Sequence, residues 1–383
     1  MYRLNIDQTA LVEKARQIAI EKIAPQAAEV DAKSQFPRQS IQALAEAGFL
    51  GLTVPTKYGG LGQGLRVTCA ILDEIAQRDA STAMVYLMHI AGVACYVAYP
   101  EGSEEILRQM AAGHHLTTLA WSEKGSRSHF WAPVSQATSL NGHVVLNATK
   151  SWVTSADEAE SYVVSTRTAG GSQPTDTMLY GVRKGDAGMS VSGPWDSLGM
   201  RGNGSAPMTL ADCEIPAARA LCKEGDGFRT MLEVVLPWFN TGNSAISIGI
   251  SEAATQTTIA HITGNRLEHL SSRLADLPNL RARVAQMRIE TDRARAHLAS
   301  VLDAIENPGP ATVLMVLESK AAAGDAAIRI TDLGMQTCGG AAFSRHLSIE
   351  RNFRDARAAS VMAPTSDVLH DFIGRALCGM DLF

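Results

Sequence analysis

The order of sequence patterns predicts an α+β protein with an N-terminal helical domain, a central β-barrel or β-sandwich domain and a C-terminal antiparallel four-helix bundle. Helical periodicity fills the first part of the chain. Short segments rich in β-branched residues fill the middle, and long helical patterns return near Phe228. This order indicates segregated helices and strands rather than alternating βαβ units. We place the domains at residues 1–113, 114–222 and 223–383.

The composition is that of a globular protein without a strong charge bias. The chain has 383 residues, 46% of them hydrophobic, and a net charge of −5 with no basic cluster. We therefore expect no nucleic-acid partner. The N-terminus lacks the order of a secretory signal and no run of 18 apolar residues occurs, so we expect a cytoplasmic protein without a membrane span. The scattered cysteines favour buried small side chains over disulfides or a metal site.

Glycine and proline mark the limits of the predicted elements. In the N-terminal region, Pro37 begins a helix that Gly48 ends, and residues 55–64 form a glycine-rich loop. This loop and the glycines at 199–204 do not follow a buried strand inside a βαβ unit, so we interpret both as turns and not as dinucleotide-binding loops. The pair Asn141-Gly142 predicts a type I′ hairpin turn, because both central positions need positive φ.

The C-terminal region contains four long helical patterns. An apolar stripe supports the second of them, and the NPGP turn at 307–310 separates it from the third. Together they predict the antiparallel bundle. The predicted helices are Phe228–Asn265, Pro278–Glu306, Pro310–Cys338 and Thr365–Cys378.

Two tryptophans at predicted strand ends have a hydroxyl residue close by. Trp121 precedes Ser122, and Trp152 lies two residues before Thr154. Such a pair can stack on a flat ring and hydrogen-bond to its polar edge. For either pair alone, a core tryptophan beside a surface hydroxyl is the alternative.

Together with the domain order, these pairs and several further motifs resemble the acyl-CoA dehydrogenase family along essentially the whole chain. The motifs follow the family's order: Ser122 to His129 for T-E-P-x-x-G-S-D, Trp152 to Thr154 for W-x-T, Leu198 to Gly202 for L-G-x-R-x, Asp212 to Pro216 for D-x-x-V/I-P, Gly225 to Phe228 for G-x-G-F, Gln336 to Phe343 for Q-x-x-G-G-x-G-F, and Arg354 to Ala356 for R-D-A. Each motif is weak alone, but the ordered set across three domains is specific. The resemblance implies the predicted fold, an oxidoreductase with FAD as cofactor, and a homotetramer or homodimer with FAD between subunits.

The resemblance also implies a set of cofactor-binding residues. They are Trp121, Ser122, Ser128, Trp152, Thr154, Arg266, Gln336, Gly339, Gly340 and Thr365. The residues at the strand ends would contact the flavin ring, and Ser128 would lie near the flavin or the thioester end of the acyl chain. Arg266 and the Gln336 motif would reach the adenosine diphosphate part from a neighbouring subunit, where the planar arginine fork suits phosphate oxygens. Thr365 would bind the cofactor at a helix N-terminus, where free N–H groups favour phosphate.

The expected catalytic base is missing from this sequence. The resemblance implies an acyl thioester of CoA or of an acyl carrier as substrate, whose α-proton a carboxylate removes. In most members this is the Glu of an E-G-T-S turn, and here the turn is Ala363 to Ser366. In a minority the Glu lies on the first long bundle helix, where this chain has Pro237 to Asn240. Asp367 is the substitute candidate, with a helix-stabilising first-turn acid as the alternative.

The sequence therefore leaves three functions open. The first is α,β-oxidation of an acyl thioester with hydride transfer to flavin N5, followed by electron transfer to a partner flavoprotein. The second keeps the fold and the flavin but changes the chemistry, as in flavin monooxygenases, N-hydroxylases or desulfinases, and the missing base motivates it. The third is a non-catalytic subunit that binds flavin or an acyl carrier.

Overall fold

The computed structural model describes residues 2–127 and 129–382. The predicted order of a helical region, a strand region and a second helical region is confirmed. A π-helical turn, Ala19–Ile23, extends the first helix. The helices of the N-terminal region are α1 Ile6–Ile18, α2 Ala27–Lys33, α3 Arg38–Glu46, α4 Leu65–Ala76, α5 Ala80–Ala98 and α6 Glu104–Ala111.

The middle region contains two sheets. Its strands are β1 Thr117–Ala120, β2 Thr138–Leu140, β3 His143–Val153, β4 Ser161–Arg167, β5 Thr177–Arg183, β6 Met189–Val191 and β7 Ala206–Pro216. One sheet has the order β1-β4-β5, with β1 parallel to β4, and the other has the antiparallel order β2-β3-β7-β6. Asn141 and Gly142 have φ values of 43° and 82° between β2 and β3, which confirms the predicted hairpin turn.

The C-terminal region is helical apart from one small hairpin. Its elements are α7 Gly227–Arg229, the π-helical segment Thr230–Val235, α8 Leu236–Gly264, β8 Arg266–Leu267, β9 Ser272–Arg273, α9 Pro278–Glu306, α10 Thr312–Cys338, α11 Ile349–Ala356, α12 Ala358–Val361 and α13 Ser366–Leu377. Helices α8, α9, α10 and α13 form the predicted bundle. The first predicted bundle helix is divided, because Pro237 has no N–H to give to an α-helical bond and the wider π turns precede it.

Helix α8 is buried along most of its length, although many of its residues carry hydroxyls. Ser244, Ser251 and Thr255 each donate the hydroxyl to the carbonyl oxygen four residues earlier, so these buried groups are hydrogen-bonded within the helix. Small residues also allow close approach, since a Cβ added at Gly242 would lie 2.3 Å from Cδ1 of Leu87 on α5. Helix α8 is thus shared between the bundle and the N-terminal helices.

Helix α5 is the central helix of the N-terminal region. By length and composition it could cross a membrane, but 89% of that stretch is buried inside the protein. Tyr86 donates its hydroxyl to the Phe49 carbonyl oxygen at 2.8 Å, and Tyr96 donates to Ser161 Oγ at 3.1 Å. These contacts to neighbouring elements are those of a core helix.

His89 joins α5 to two other segments. Its Nε2 donates to the Leu50 carbonyl oxygen at 2.8 Å, and its Nδ1 accepts from the N–H of Thr117 at the start of β1, at 3.1 Å. The two partners require a neutral ring with its proton on Nε2, because a proton on Nδ1 would face an N–H donor. Burial lowers the pKa of His89 to about 4.

This lowered pKa predicts an acid-dependent loss of stability. Between about pH 6.5 and pH 4 the unfolded chain binds a proton at His89 that the folded chain does not, so the free energy of unfolding falls as pH falls. In His89→Gln this contribution is absent. The stability difference between wild type and variant should therefore shrink by roughly 3 kcal/mol between pH 7 and pH 4.

Urea unfolding at a series of pH values measures this difference. Other buried groups titrate in the same range, but they contribute to both proteins and cancel in the comparison. His114→Gln, at the exposed neighbour of buried His115, is the matched control and should retain the wild-type pH dependence. If the stability difference between wild type and His89→Gln stays constant with pH, His89 is not held neutral in the folded protein.

Candidate functional site

A cavity of about 880 Å³ opens between the strand region and the C-terminal helices. Helix α5, the ends of β1 and β3, the loop at 195–205, the start of α8 and the stretch from α11 to α13 contribute its walls. It brings together many of the residues that the motifs indicated. The members of that set at the cavity are Trp121, Ser122, Trp152, Thr154, Ala363 and Thr365.

The segment that follows β1 is anchored by a buried ion pair. Glu123 and Lys150 lie 2.6 Å apart, with their side chains 3% and 0% exposed. Glu123 also accepts from the N–H groups of Val134 and Ser135. Burial alone would raise the pKa of the Glu123 carboxyl, but the Lys150 ammonium and these donors hold it below its ordinary value. Glu123 is therefore committed to the ion pair and is not free to act as a base.

Trp152 lies at the cavity in a strained backbone conformation. Its φ of +57° is rare for a bulky residue, and 65% of its surface is exposed. Its ring meets Trp195 edge to face, with centroids 5.8 Å apart, and Trp195 donates its indole N–H to the Met200 carbonyl oxygen. Sequence analysis did not single out Trp195, whose one signal is its place just before the motif at Leu198. The exposed aromatic surface is suited to stacking on a planar ring.

Polar groups with unused hydrogen-bonding capacity lie beside these rings. Thr154 Oγ1 is 2.9 Å from Ser205 Oγ, and Ser205 in turn donates to Asn203. The indole N–H of Trp121 is buried and has no acceptor among the described residues. An unpaired N–H at a cavity wall fits a ligand that brings an acceptor. The donor set and the aromatic surface together fit a flat heterocycle with polar edges.

The turn between α12 and α13 forms the opposite wall and carries Ala363. The second family position for a base is also without a carboxylate: Phe239 lines the cavity, and buried Asn240 donates to the Val316 carbonyl oxygen at 3.3 Å. Asp367, the substitute candidate, is exposed in the first turn of α13 and does not line the cavity. The structure therefore gives no support to Asp367 as the base.

The charged side chains at the cavity are mainly cationic. Those among its described residues are Glu123, Lys124, Arg127, Arg354 and Arg357. Glu123 is paired with Lys150, and Arg354 is paired with Asp31 at 2.6 Å. Arg357 instead stacks on the Phe353 ring at 3.3 Å. The described wall thus offers cations but no free carboxylate.

Four of the expected cofactor residues lie outside this cavity. Arg266, Gln336, Gly339 and Gly340 are exposed and do not line it. The Gln336 amide donates to Asp332 at 2.7 Å on the same face of α10. Their separation from the cavity of their own chain agrees with an expected role toward a neighbouring subunit, which stays a prediction. Ser128 lies outside the described residues.

A glycine allows the two walls of the cavity to touch. A Cβ added at Gly199 would lie 2.5 Å from the Arg354 carbonyl oxygen on α11. Beside it, the Met200 N–H donates to Asp355 Oδ1 at 2.6 Å. Burial raises the pKa of Asp355 to about 7. The loop from the strand region is therefore held directly against the backbone of the C-terminal region.

We expect Gly199→Ala to destabilise the protein by about 1 to 3 kcal/mol, because the added methyl group overlaps backbone atoms that must move. Gly264→Ala, at the end of α8, is the control: an added Cβ there has no atom within 4 Å, and we expect a change within about 0.5 kcal/mol. Chemical denaturation measures both. Equal stability of the two variants would contradict the tight contact between Gly199 and Arg354.

The chain matches three domain models of one protein family. Residues 5–114 match the acyl-CoA dehydrogenase N-terminal domain, residues 118–213 the middle domain, and residues 225–378 the C-terminal domain. The matches follow one another in the order of the helical, strand and helical regions. They extend over most of the chain.

Individual relatives align along the full length. A probable acyl-CoA dehydrogenase of Mycobacterium tuberculosis, FadE25, is 28% identical and aligns over 98% of this chain and 97% of its own. Cyclohex-1-ene-1-carbonyl-CoA dehydrogenase of Geobacter metallireducens is 27% identical, and the alignment covers 98% of this chain and 99% of the relative. The structure of butyryl-CoA dehydrogenase from Megasphaera elsdenii superposes with a TM-score of 0.91 at 22% identity. The superposition covers 98% of this chain and 99% of that structure, so the two share the fold. The domain matches and the shared fold show that this chain belongs to the acyl-CoA dehydrogenase family.

Proposed function

We propose that this protein is an FAD-dependent oxidoreductase of acyl-CoA dehydrogenase type that acts on an acyl thioester. The observation that carries the proposal is one cavity in which aromatic and hydroxyl residues adjoin an apolar compartment. FAD is the cofactor of this site, and when bound it supplies the hydride acceptor. The family membership supports the same reaction class.

The residues at the ends of β1 and β3 bind and orient the flavin ring. Trp152 supplies the stacking surface, and Trp195 fixes the angle of its indole. The buried N–H of Trp121 and the hydroxyl of Ser122 are donors for its polar edge, and Thr154 Oγ1, whose proton goes to Ser205, is an acceptor. Thr365, at the N-terminus of α13, would donate a hydrogen bond to the cofactor from the opposite wall of the cavity.

The apolar compartment binds the acyl chain. Its lining residues are Met84, Met88, Leu119, Phe130, Met231, Val235, Leu236, Phe239 and Met362. Burial of a hydrocarbon chain here removes apolar surface from water and keeps water from the reacting carbons. The flexible methionines can adapt to chains of different shape.

The carrier of the acyl group binds at the cationic part of the cavity. Lys124 and Arg127 are exposed there, and neither forms an ion pair with a described residue. Phosphate groups occur both in CoA and in the phosphopantetheine arm of an acyl carrier, and both side chains suit them. A homotetramer or homodimer in the cytoplasm would place Arg266 and the Gln336 motif at a neighbouring subunit's cofactor, and a flavoprotein would accept the electrons.

The absence of a free carboxylate from the described wall of the cavity favours a second candidate function. Neither Ala363 nor the stretch at 237–240 offers a base, and Glu123 is held by Lys150. A same-fold flavoprotein that hydroxylates a substrate or cleaves a carbon–sulfur bond need not remove a thioester α-proton. The third candidate, a non-catalytic binding subunit, requires no base at all.

Anaerobic titration of the purified yellow protein with acyl-CoAs of different chain length tests the proposal. We expect at least one of them to bleach the flavin absorption band, because hydride transfer reduces the ring. Dithionite reduction of the same sample is the control for a reducible flavin. Full reduction by dithionite with no bleaching by any acyl-CoA or acyl carrier would contradict the dehydrogenase proposal. A colourless protein that does not bind FAD would contradict both catalytic candidates and the flavin-binding form of the third.

We expect Ala363→Glu to accelerate flavin reduction by an acyl-CoA by about 100-fold or more, because it introduces a general base at the cavity. Ala363→Gln is the matched control, equal in size but without a basic oxygen, and should give no acceleration. Stopped-flow absorbance measures both rates. If glutamate and glutamine behave alike, position 363 does not face the α-carbon of the thioester.

A further inference from the structure

A second buried lysine lies behind the wall of the cavity. Lys320, on α10, is 1% exposed. Its Nζ donates to the carbonyl oxygens of Ala359 at 2.8 Å, Met362 at 3.0 Å and Pro364 at 2.7 Å. No ion pair joins it to a carboxylate among the described residues, and its Nζ lies 6.0 Å from the centroid of the Phe239 ring, which lines the cavity. One ammonium group thus binds three points of the segment that carries Ala363.

Peptide geometry determines which way this segment faces. In a trans peptide the N–H points opposite to the preceding C=O. Because the Met362 carbonyl points to Lys320, the N–H of Ala363 points away from Lys320. That N–H donates to no acceptor among the described residues, and Ala363 itself lines the cavity. The bonds from Lys320 therefore direct residue 363 toward the cavity.

The bonding pattern also indicates the charge of Lys320. Burial acting alone would lower its pKa to about 7. The three carbonyl acceptors act in the opposite direction, because a neutral amine has two N–H groups and would turn its lone pair toward an oxygen. The ammonium is the form that satisfies all three carbonyls. From the bonded carbonyls and standard backbone dimensions, its charge lies within about 6 Å of the Ala363 Cα.

We propose that Lys320 is a positioning residue that turns residue 363 toward the cavity and favours negative charge at that point. The ligand group expected there is an anionic oxygen, either one that develops during the reaction or a carboxylate. The first turn of α13 adds to the same effect, since a helix N-terminus attracts negative charge. The catalytic meaning of this role rests on the proposed function, but the electrostatic effect does not.

A thiol at position 363 reports this effect without any substrate. The test protein is the full-length holoprotein with Ala363→Cys and Cys378→Ser, because Cys378 is the exposed native cysteine and the other five are buried. Burial raises the pKa of Cys69 to about 12 and that of Cys213 and Cys222 to about 11, which keeps these thiols unreactive. The rate of alkylation by iodoacetamide between pH 6 and pH 10 then gives the pKa of the introduced thiol.

We expect this pKa to lie below the ordinary value of about 8.5 and to rise by about one pKa unit or more when Lys320→Met is added. Lys320→Gln, which keeps two N–H donors without the charge, should raise it similarly and makes the same comparison if the methionine variant does not fold. Ser319→Ala, which removes a buried hydroxyl bonded to Val316 on the same helix, should leave the pKa unchanged. The fixed charges of the cavity are common to all these proteins, so their effect cancels when the thiol pKa values of the variants are compared.

Two results would overturn the proposal. One is a pKa of the thiol at or above about 8.5 in the protein that retains Lys320. The other is a lowered pKa that does not change on removal of the lysine charge. Because the experiment follows a thiol and not flavin reduction, either result would leave the proposed function standing. Conversely, if no acyl thioester reduces the flavin, the proposed role of Lys320 is not affected.

Discussion

A buried ammonium group must have its three N–H groups hydrogen-bonded, and this requirement holds both walls of the cavity in place. On the strand side, Lys150 bonds to Glu123 and to the carbonyl and hydroxyl oxygens of Ser165. On the helical side, Lys320 bonds to three main-chain carbonyls around Ala363. An unpaired buried charge costs several kcal/mol, so neither lysine can be released without a large loss of stability.

The two lysines differ in what they do to the electric field of the cavity. Lys150 is neutralised by Glu123, so this pair fixes the position of Trp121 and Ser122 and adds little net charge. Lys320 has no such partner among the described residues, and its charge faces the turn between α12 and α13. With Arg357 on the same wall, the field at the cavity favours anions. A site of this kind stabilises negative charge on a ligand more readily than it removes a proton.

This distinction bears on the choice between the candidate reactions. Dehydrogenation of a thioester needs both a hydride acceptor and a base. The cavity supports the first through its aromatic and hydroxyl residues, but its described wall has no free carboxylate for the second. A reaction in which an anion forms without proton removal by the protein would fit the same wall. The fold and the cofactor set are thus compatible with more than one reaction, and the residue at position 363 separates them.

The sequence by itself determined the features that depend on short-range interactions. Helix α9 has the predicted limits, Pro278–Glu306, because proline and the apolar stripe act locally, and Asn141-Gly142 forms the predicted turn for the same reason. It also showed that Ala363 stands where a base was expected. Only the tertiary structure showed that Asp367 is exposed and does not line the cavity, that Trp195 meets Trp152, and which acceptors bind the two lysines. These facts depend on contacts between residues distant in the chain, for which no local pattern exists.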